Sequence, residues 1–300
     1  MDVGELAAGL GWTALLTAYS RAQESRGAEP LFVDPLASAF VTAVVGEGDG
    51  ERMPSLGFAR DDGSSRLWNA FRCYFAQRTP FYDAQVMAAV ADGCRQVVIL
   101  GAGLDARAFR LGLPGDVTVF EVDQAPVHEF KEKVLRRHGA VPRCARVPVA
   151  VDVTNGVSES LLSAGFDPAV PAIWTAEGLL FYLSAGEADR LAGEITALSA
   201  PGSRFAGEYF GRRWEKAHVE YETLPDGDRM AWDLLIRACR YGPIDHLPTD
   251  WLAKHGWTAR DVTTVAEVGT RSGRPVPPEF ARADAPPIWL FAGTRAVISM

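Results

Sequence analysis

Apolar residues recur at helical spacing over 14–25, and a second helix is expected over 35–45, with Asp34 as its cap and Pro35 in its first turn. The glycine-rich polar stretch 46–63 reads as a surface loop, and two further helices follow at 64–74 and 79–91, the second entered through Thr79-Pro80. From residue 96 the rhythm changes. Short apolar runs at 97–100, 117–122, 146–151, 172–175, 204–206 and 288–292 read as strands, and helical patterns at 124–138, 155–164 and 185–199 separate them. That alternation implies an α/β fold with parallel strands joined by right-handed crossovers. The rhythm breaks at 208–256, a segment rich in Trp, Tyr, Arg and Asp that is too long for a plain connection. The expected organisation is therefore a helical extension at 1–93 joined to a domain at 94–300, with an inserted lid at 208–256.

Composition narrows the function without naming it. Three hundred residues with 48% hydrophobic content can bury a sizeable core, and the net charge of −8 argues against a nucleic-acid footprint. Cys73, Cys94, Cys144 and Cys239 are scattered with no C-x-x-C pair and no His at ligand spacing, so neither a metal site nor a disulfide framework is expected. The N-terminal stretch lacks the pattern of a secretory leader, and no apolar run approaches the ~20 residues of a membrane span. The expectation is a cytoplasmic protein acting on a small molecule, as a monomer or homodimer.

The chemistry concentrates at strand ends. Gln96–Leu100 runs into Gly101-Ala102-Gly103, and about twenty residues later Val119-Phe120-Glu121-Val122-Asp123 ends in two acids. Glycines let a backbone approach a ligand, and an acid at the next strand tip accepts hydrogen bonds from ribose hydroxyls. The loop also satisfies G-x-G-x-x-A through Leu104-Asp105-Ala106, so on the loop alone NAD and S-adenosylmethionine (SAM) both stand. Three later features favour SAM. A third strand ends in Asp152-Val153, suited to the adenine amine and ring; a fourth ends in Glu177 beside an aromatic turn; and no Tyr-x-x-x-Lys pair for hydride transfer follows.

Taken together, Gln77-Arg78-Thr79-Pro80-Phe81-Tyr82-Asp83, LGAGLDARAFRL, FEVDQAPV and AEGLLFYL resemble the leucine carboxyl methyltransferase family, and within it the bacterial branch of polyketide carboxyl methyltransferases. The resemblance implies a class I methyltransferase fold, a Rossmann-like seven-stranded mixed sheet with a reversed final strand, carrying an N-terminal helical extension and a lid. It implies SAM as cofactor and S-adenosylhomocysteine (SAH) as product. By that likeness Arg78 pairs with the methionine carboxylate, Gly101, Ala102 and Gly103 lie beside the methionine moiety, and Asp123 takes the ribose. Asp152 and Val153 match the adenine pair, with Val153 in place of the usual Leu, and Glu177 lies near the methionine amine. Arg21 aligns with a basic residue near the same carboxylate.

Simpler roles compete for several of these residues. Asp105 and Arg107 can pair with each other or cap the helix after the loop, Asp152 can be the N-cap of the following helix, and Glu121, which shares a face with Asp123 in a regular strand, stands as a second ribose acid unless one of the two faces solvent beyond the strand end. For an acceptor site, Tyr182, Tyr209, Arg212 and Arg213 join Arg21 as candidates, beside an aromatic group formed by Phe210, Trp214, Tyr221, Trp232 and Tyr241. No catalytic base stands out. A carboxylate acceptor, ionised at neutral pH, needs none, whereas a phenol with a pKa near ~10 would benefit from one. The expected function is SAM-dependent O-methylation of a small acid or phenol, probed against two alternatives: an NAD(P)-dependent oxidoreductase and a non-catalytic SAM-binding regulatory protein.

Overall fold

The computed structural model describes residues 11–45, 52–53, 57–58, 66–274 and 276–296. Seven strands form one sheet: β1 (Gln96–Leu100), β2 (Thr118–Asp123), β3 (Ala145–Ala150), β4 (Ala172–Ala176), β5 (Arg204–Phe210), β6 (Trp257–Thr264) and β7 (Ile288–Arg295). Their order is β3-β2-β1-β4-β5-β7-β6, with the first five parallel and β7 antiparallel to both neighbours. The order reverses between β1 and β4, the topological switch point at which open α/β sheets bind ligands beyond their strand ends.

Every residue of β1 and of β4 is buried, as expected of central parallel strands covered on both faces. Val97 and Ile99 pack toward helices α1 (Gly11–Ser25), α2 (Ala37–Val45) and α3 (Arg66–Ala91). Val98 and Leu100 pack on the other face, against Leu161 of α6 (Ser158–Ser163) and Leu191 of α7 (Ala185–Ala197). Two helices lie between these groups in the chain, the single turn α4 (Arg107–Arg110) and α5 (Ala125–Arg137).

Three expectations change. The helices anticipated at 64–74 and 79–91 are one helix, α3, which continues through Pro80. Residues 74–79 are all buried, so α3 packs on every face in the stretch leading into Pro80, and that packing offsets the ~3 kcal/mol a proline costs inside a helix. Thr79 Oγ1 donates to the Phe75 carbonyl at 2.9 Å just before the proline. Strand β5 extends to Phe210, so residues 208–210 belong to the sheet rather than to the insertion. Strand β6 carries none of the apolar rhythm expected of a strand, because it lies at the sheet edge and is half exposed, with a register shift between Ala259 and Asp261.

Beyond β5 the inserted segment forms two short turns, Lys216–Val219 and Tyr221–Thr223, then α8 (Asp226–Ala238) and α9 (Pro248–Lys254). Helix α10 (Val265–Arg271) and the turn α11 (Pro278–Ala281) separate β6 from β7. The loop expected at 46–63 lies largely outside the described residues, within which Arg52–Met53 pairs antiparallel with Gly57–Phe58. Among the described residues no helix is long and apolar enough to cross a membrane.

Candidate active site

A cavity of about 910 Å³ opens along the carboxyl ends of β1, β2 and β4 and beside the turn after β3, continuing under α8. Gly101, Ala102, Gly103, Asp123, Asp152, Val153 and Glu177 all line it, together with Arg78 of α3 and Arg21 of α1. The fold thus gathers one residue set from widely separated elements.

The glycine loop is shaped by backbone and close neighbours. Gly101 and Gly103 adopt φ of 62° and 47°, the left-handed region that disfavours side chains. A Cβ on Gly103 would meet Ala14 of α1 at 3.1 Å, and one on Gly101 would meet Leu179 at 3.3 Å. Asp123, at the tip of β2, braces the same loop. Its two carboxylate oxygens accept from Gly103 N and Gln124 N, each at 2.7 Å, which leaves lone pairs on both oxygens for the cavity. Burial pushes the Asp123 carboxyl up, and those two backbone bonds pull it partly back.

Glu121 sits elsewhere. It is fully buried, and one oxygen binds Lys131 at 2.7 Å and Arg146 at 2.6 Å on the sheet's interior, so it is not a second ribose acid. Asp152 caps the turn Val153–Asn155 through Thr154 N at 2.9 Å, as its simpler reading anticipated, and its other oxygen takes Gln124 Nε2 at 3.2 Å.

Arg78 anchors an ionic network. Its Nε meets Glu177 Oε1 at 3.0 Å, and its Nη1 donates to Glu208 Oε1 at 2.7 Å and to the Tyr74 hydroxyl at 2.6 Å. No described residue takes a hydrogen bond from Nη2. Burial works against the Arg78 charge, but Glu208, Tyr74 and Glu177 outweigh it and hold the guanidinium above its ordinary value. Arg107 pairs with Asp105, as anticipated, and also binds Glu177 at 2.7 Å and Asp83 at 2.8 Å, while Arg110 binds Asp83 at 2.6 Å. Asp105 thereby finds its role. Burial opposes its charge, but Arg107, Lys131 and Arg110 bring it down to about 2.

Sequence reasoning missed Glu208. It lies in β5, fully buried, and burial pushes it up to about 7, with Arg78 pulling against and Glu177 pushing further. The signal available was the β-type pair Tyr209-Phe210, which carries the strand past Gly207.

The acceptor candidates divide. Arg21 lines the cavity, held by Asp34 at 2.8 Å and by the Leu104 carbonyl at 2.6 Å, and Tyr182 lines it too. Tyr209 is corrected: it is fully buried in the opposite core against Trp251 and Phe291, and its hydroxyl donates to the His246 carbonyl at 2.8 Å. Arg212 and Arg213 are corrected as well, since both are exposed and neither lines the cavity. Of the aromatic group, Phe210, Trp214 and Trp232 line it, while Tyr221 and Tyr241 do not. No group of His, Cys, Asp or Glu able to hold a metal occurs among the described residues.

Comparison with known proteins decides between the two cofactors. Residues 14–196 match the family described as Leucine carboxyl methyltransferase. The chain belongs to that family. It is accordingly a SAM-dependent methyltransferase, the class expected from the strand-end motifs. A relative from Parafrankia sp. (strain EAN1pec), named as an S-adenosyl-L-methionine-dependent methyltransferase, is 41% identical over 273 residues, covering 91% of this chain and 84% of its own. One so named from Mycolicibacterium paratuberculosis (strain ATCC BAA-968 / K-10) is 39% identical over 274 residues, covering 91% and 87%. The crystal structure of a DUF574 family protein from Streptomyces avermitilis MA-4680 shares the fold at a TM-score of 0.56 and 15% identity, covering 94% of this chain and 97% of that one.

Proposed function

We propose that this methyltransferase holds SAM along the strand ends and methylates an oxygen of a small apolar acid, a carboxyl group of a polyketide-like metabolite, held beneath α8. The observation that carries the reading is the continuity of the cavity from the glycine–acid edge into an aromatic chamber. In this reading the helices up to residue 93 cap the SAM-binding unit, and the segment after Phe210 roofs the acceptor.

The residues present fit the cofactor. Arg78 offers a guanidinium nitrogen not engaged by a described residue to the methionine carboxylate, and Glu177 offers an anion to the methionine amine. Gly101 and Gly103 leave the backbone open where a Cβ would crowd Leu179 and Ala14. Asp123 retains acceptor capacity for ribose hydroxyls, and Asp152 with Val153 bounds the adenine end. When bound, SAM supplies an electrophilic methyl group on a sulfonium. The chain supplies alignment of the acceptor oxygen and exclusion of water beneath Trp214 and Trp232.

A carboxylate acceptor is favoured over a phenol because the strand-end part of the cavity offers no free base. No His or Lys lines the cavity among the described residues; Glu177 and Asp105 are held in ion pairs, and Asp123 and Asp152 accept backbone N–H groups. An acid arrives already ionised. We place the activity in the cytoplasm, consistent with Cys94, Cys144 and Cys239 being in the thiol form. Calorimetry is expected to show SAH binding with negligible NADH binding, and labelled SAM is expected to yield methyl esters from aromatic acids. NADH binding without SAH binding would overturn the reading.

A further inference from the structure

The ionic network beside the cavity carries more negative charge than positive. The guanidiniums of Arg78, Arg107 and Arg110 meet the carboxylates of Asp83, Asp105, Glu177 and Glu208 in one connected set. Glu208 is the most enclosed of the four acids, with a side chain 0% exposed against 12–15% for the others. Its Oε2 is buried with no hydrogen-bond partner among the described residues. A buried carboxylate oxygen that no donor reaches is costly while charged, so the excess anion is most easily discharged here, by a proton. The carboxyl is accordingly pushed up to about 7 by burial.

The groups that face Glu208 come from two elements. Helix α3 brings Arg78, Tyr74 and Tyr82, and the chain after β4 brings Glu177, the Gly178 N–H and Tyr182. Across the sheet, β7 sets uncharged Leu290 opposite Glu208. Burial raises all three tyrosine hydroxyls and keeps them neutral, so the cation in contact is Arg78. Arg78 lines the cavity and, in the proposed function, meets the methionine carboxylate. With Glu208 ionised, that carboxylate would be the third on one guanidinium, after Glu177 and Glu208. With Glu208 neutral it is the second. Like charges gathered on one cation oppose one another, so the two ionisations are linked.

We propose that Glu208 is a positioning residue for the cofactor, acting through Arg78, and that it takes up a proton from solvent as the methionine carboxylate settles beside that guanidinium. The inference rests on the reading of Arg78 as part of the cofactor seat. Its sign is fixed by the order of events. Below the titration of free Glu208 the proton is already present and binding takes up little. Above it, binding draws a proton from solvent, so affinity falls as pH rises.

SAH is titrated by calorimetry into the full chain in phosphate and in Tris, whose different ionisation heats count the protons exchanged. The wild-type chain is expected to take up roughly half a proton at pH 7.5 and little at pH 6, with affinity falling about five-fold from pH 6.5 to 8.5. Glu208→Gln keeps an oxygen for Arg78 and Gly178 N but cannot titrate, and is expected to lose that uptake and level the profile. A residue that only braced the site would shift affinity by the same factor at every pH. No uptake by the wild-type chain at pH 7.5, equal uptake by Glu208→Gln, or affinity that rises with pH overturns the proposal. The wild-type buffer comparison tests it even if the variant does not fold. Absence of SAH binding at every pH overturns the cofactor seat and this inference with it, whereas binding without uptake overturns this inference alone.

Discussion

Arg78 and Glu208 meet at 2.7 Å where α3 crosses the end of β5, and this contact ties α3 to the sheet beside the cavity. Glu208 also accepts from Gly178 N at 2.5 Å, so one carboxylate fixes both the arginine and the turn that carries Glu177. Three guanidiniums, of Arg78, Arg107 and Arg110, are thereby interlocked with the carboxylates of Asp83, Asp105, Glu177 and Glu208. The arrangement holds both signs of charge at one end of the cavity, which suits a zwitterionic amino-acid moiety.

The first prediction concerns the proton on Glu208. Burial first, and Glu177 further, push its carboxyl up to about 7 against the pull of Arg78, above its ordinary value of 4.5. Between those values the folded protein holds a proton that the unfolded chain has released, so stability falls as pH rises from about 4.5 to 7 and is level above. Glu208→Gln is expected to remove that slope. Urea unfolding at pH 5 and pH 7.5 should show the wild-type chain losing roughly 1–3 kcal/mol more than the variant over this interval. Parallel pH dependence in the two proteins would contradict the assignment.

The second prediction separates Glu121 from Asp123. Glu121→Ala leaves Lys131, fully buried, without its carboxylate, and a stability loss of about 3–5 kcal/mol is expected. SAH affinity of the protein that remains folded should stay within a few-fold of the original, because Glu121 does not line the cavity. Thermal melts and calorimetry check the two halves. A ten-fold loss of affinity without loss of stability would return Glu121 to the site.

The sheet and the cofactor edge were legible because their signals are local. Apolar runs ending in Gly101, Asp123, Asp152 and Glu177 mark strand tips, and parallel topology brings those tips to one edge. Strand β6 was not legible, since an edge strand carrying Arg260 and Asp261 needs no apolar alternation. The continuity of α3 was hidden for the opposite reason: packing on all faces overrode the local effect of Pro80. Glu208 and Glu279 have their partners, Arg78 and Arg66, far away along the chain, and no sequence motif joins such pairs. Tyr209 shows the limit of residue type as evidence, because alternation along β5 turned its ring into the core instead of the cavity.

The third prediction tests that correction. Tyr209→Phe removes only the hydroxyl that donates to the His246 carbonyl, so a stability loss of about 1 kcal/mol is expected with methyl transfer unchanged. The double variant Arg212→Ala, Arg213→Ala should likewise leave KM for the acceptor unchanged, because both side chains lie on the surface. A rise in KM for either protein would place these residues back among the acceptor contacts.

The fourth prediction turns on Asp123, which has two roles that one substitution cannot separate. Its carboxylate braces the loop through Gly103 N and Gln124 N, and in the proposed function it also receives the ribose hydroxyls. Asp123→Ala removes both roles, so SAH affinity is expected to fall at least ten-fold and stability by roughly 1–2 kcal/mol. Asp123→Asn keeps one acceptor oxygen for the loop but gives up the negative charge and replaces the other oxygen with a donor. Stability should therefore recover most of the loss, while affinity recovers little. Calorimetry with SAH, alongside urea unfolding of both variants, distinguishes the outcomes. If Asp123→Asn restores affinity and stability together, the residue acts on the cofactor only by shaping the glycine loop, and the ribose contact falls.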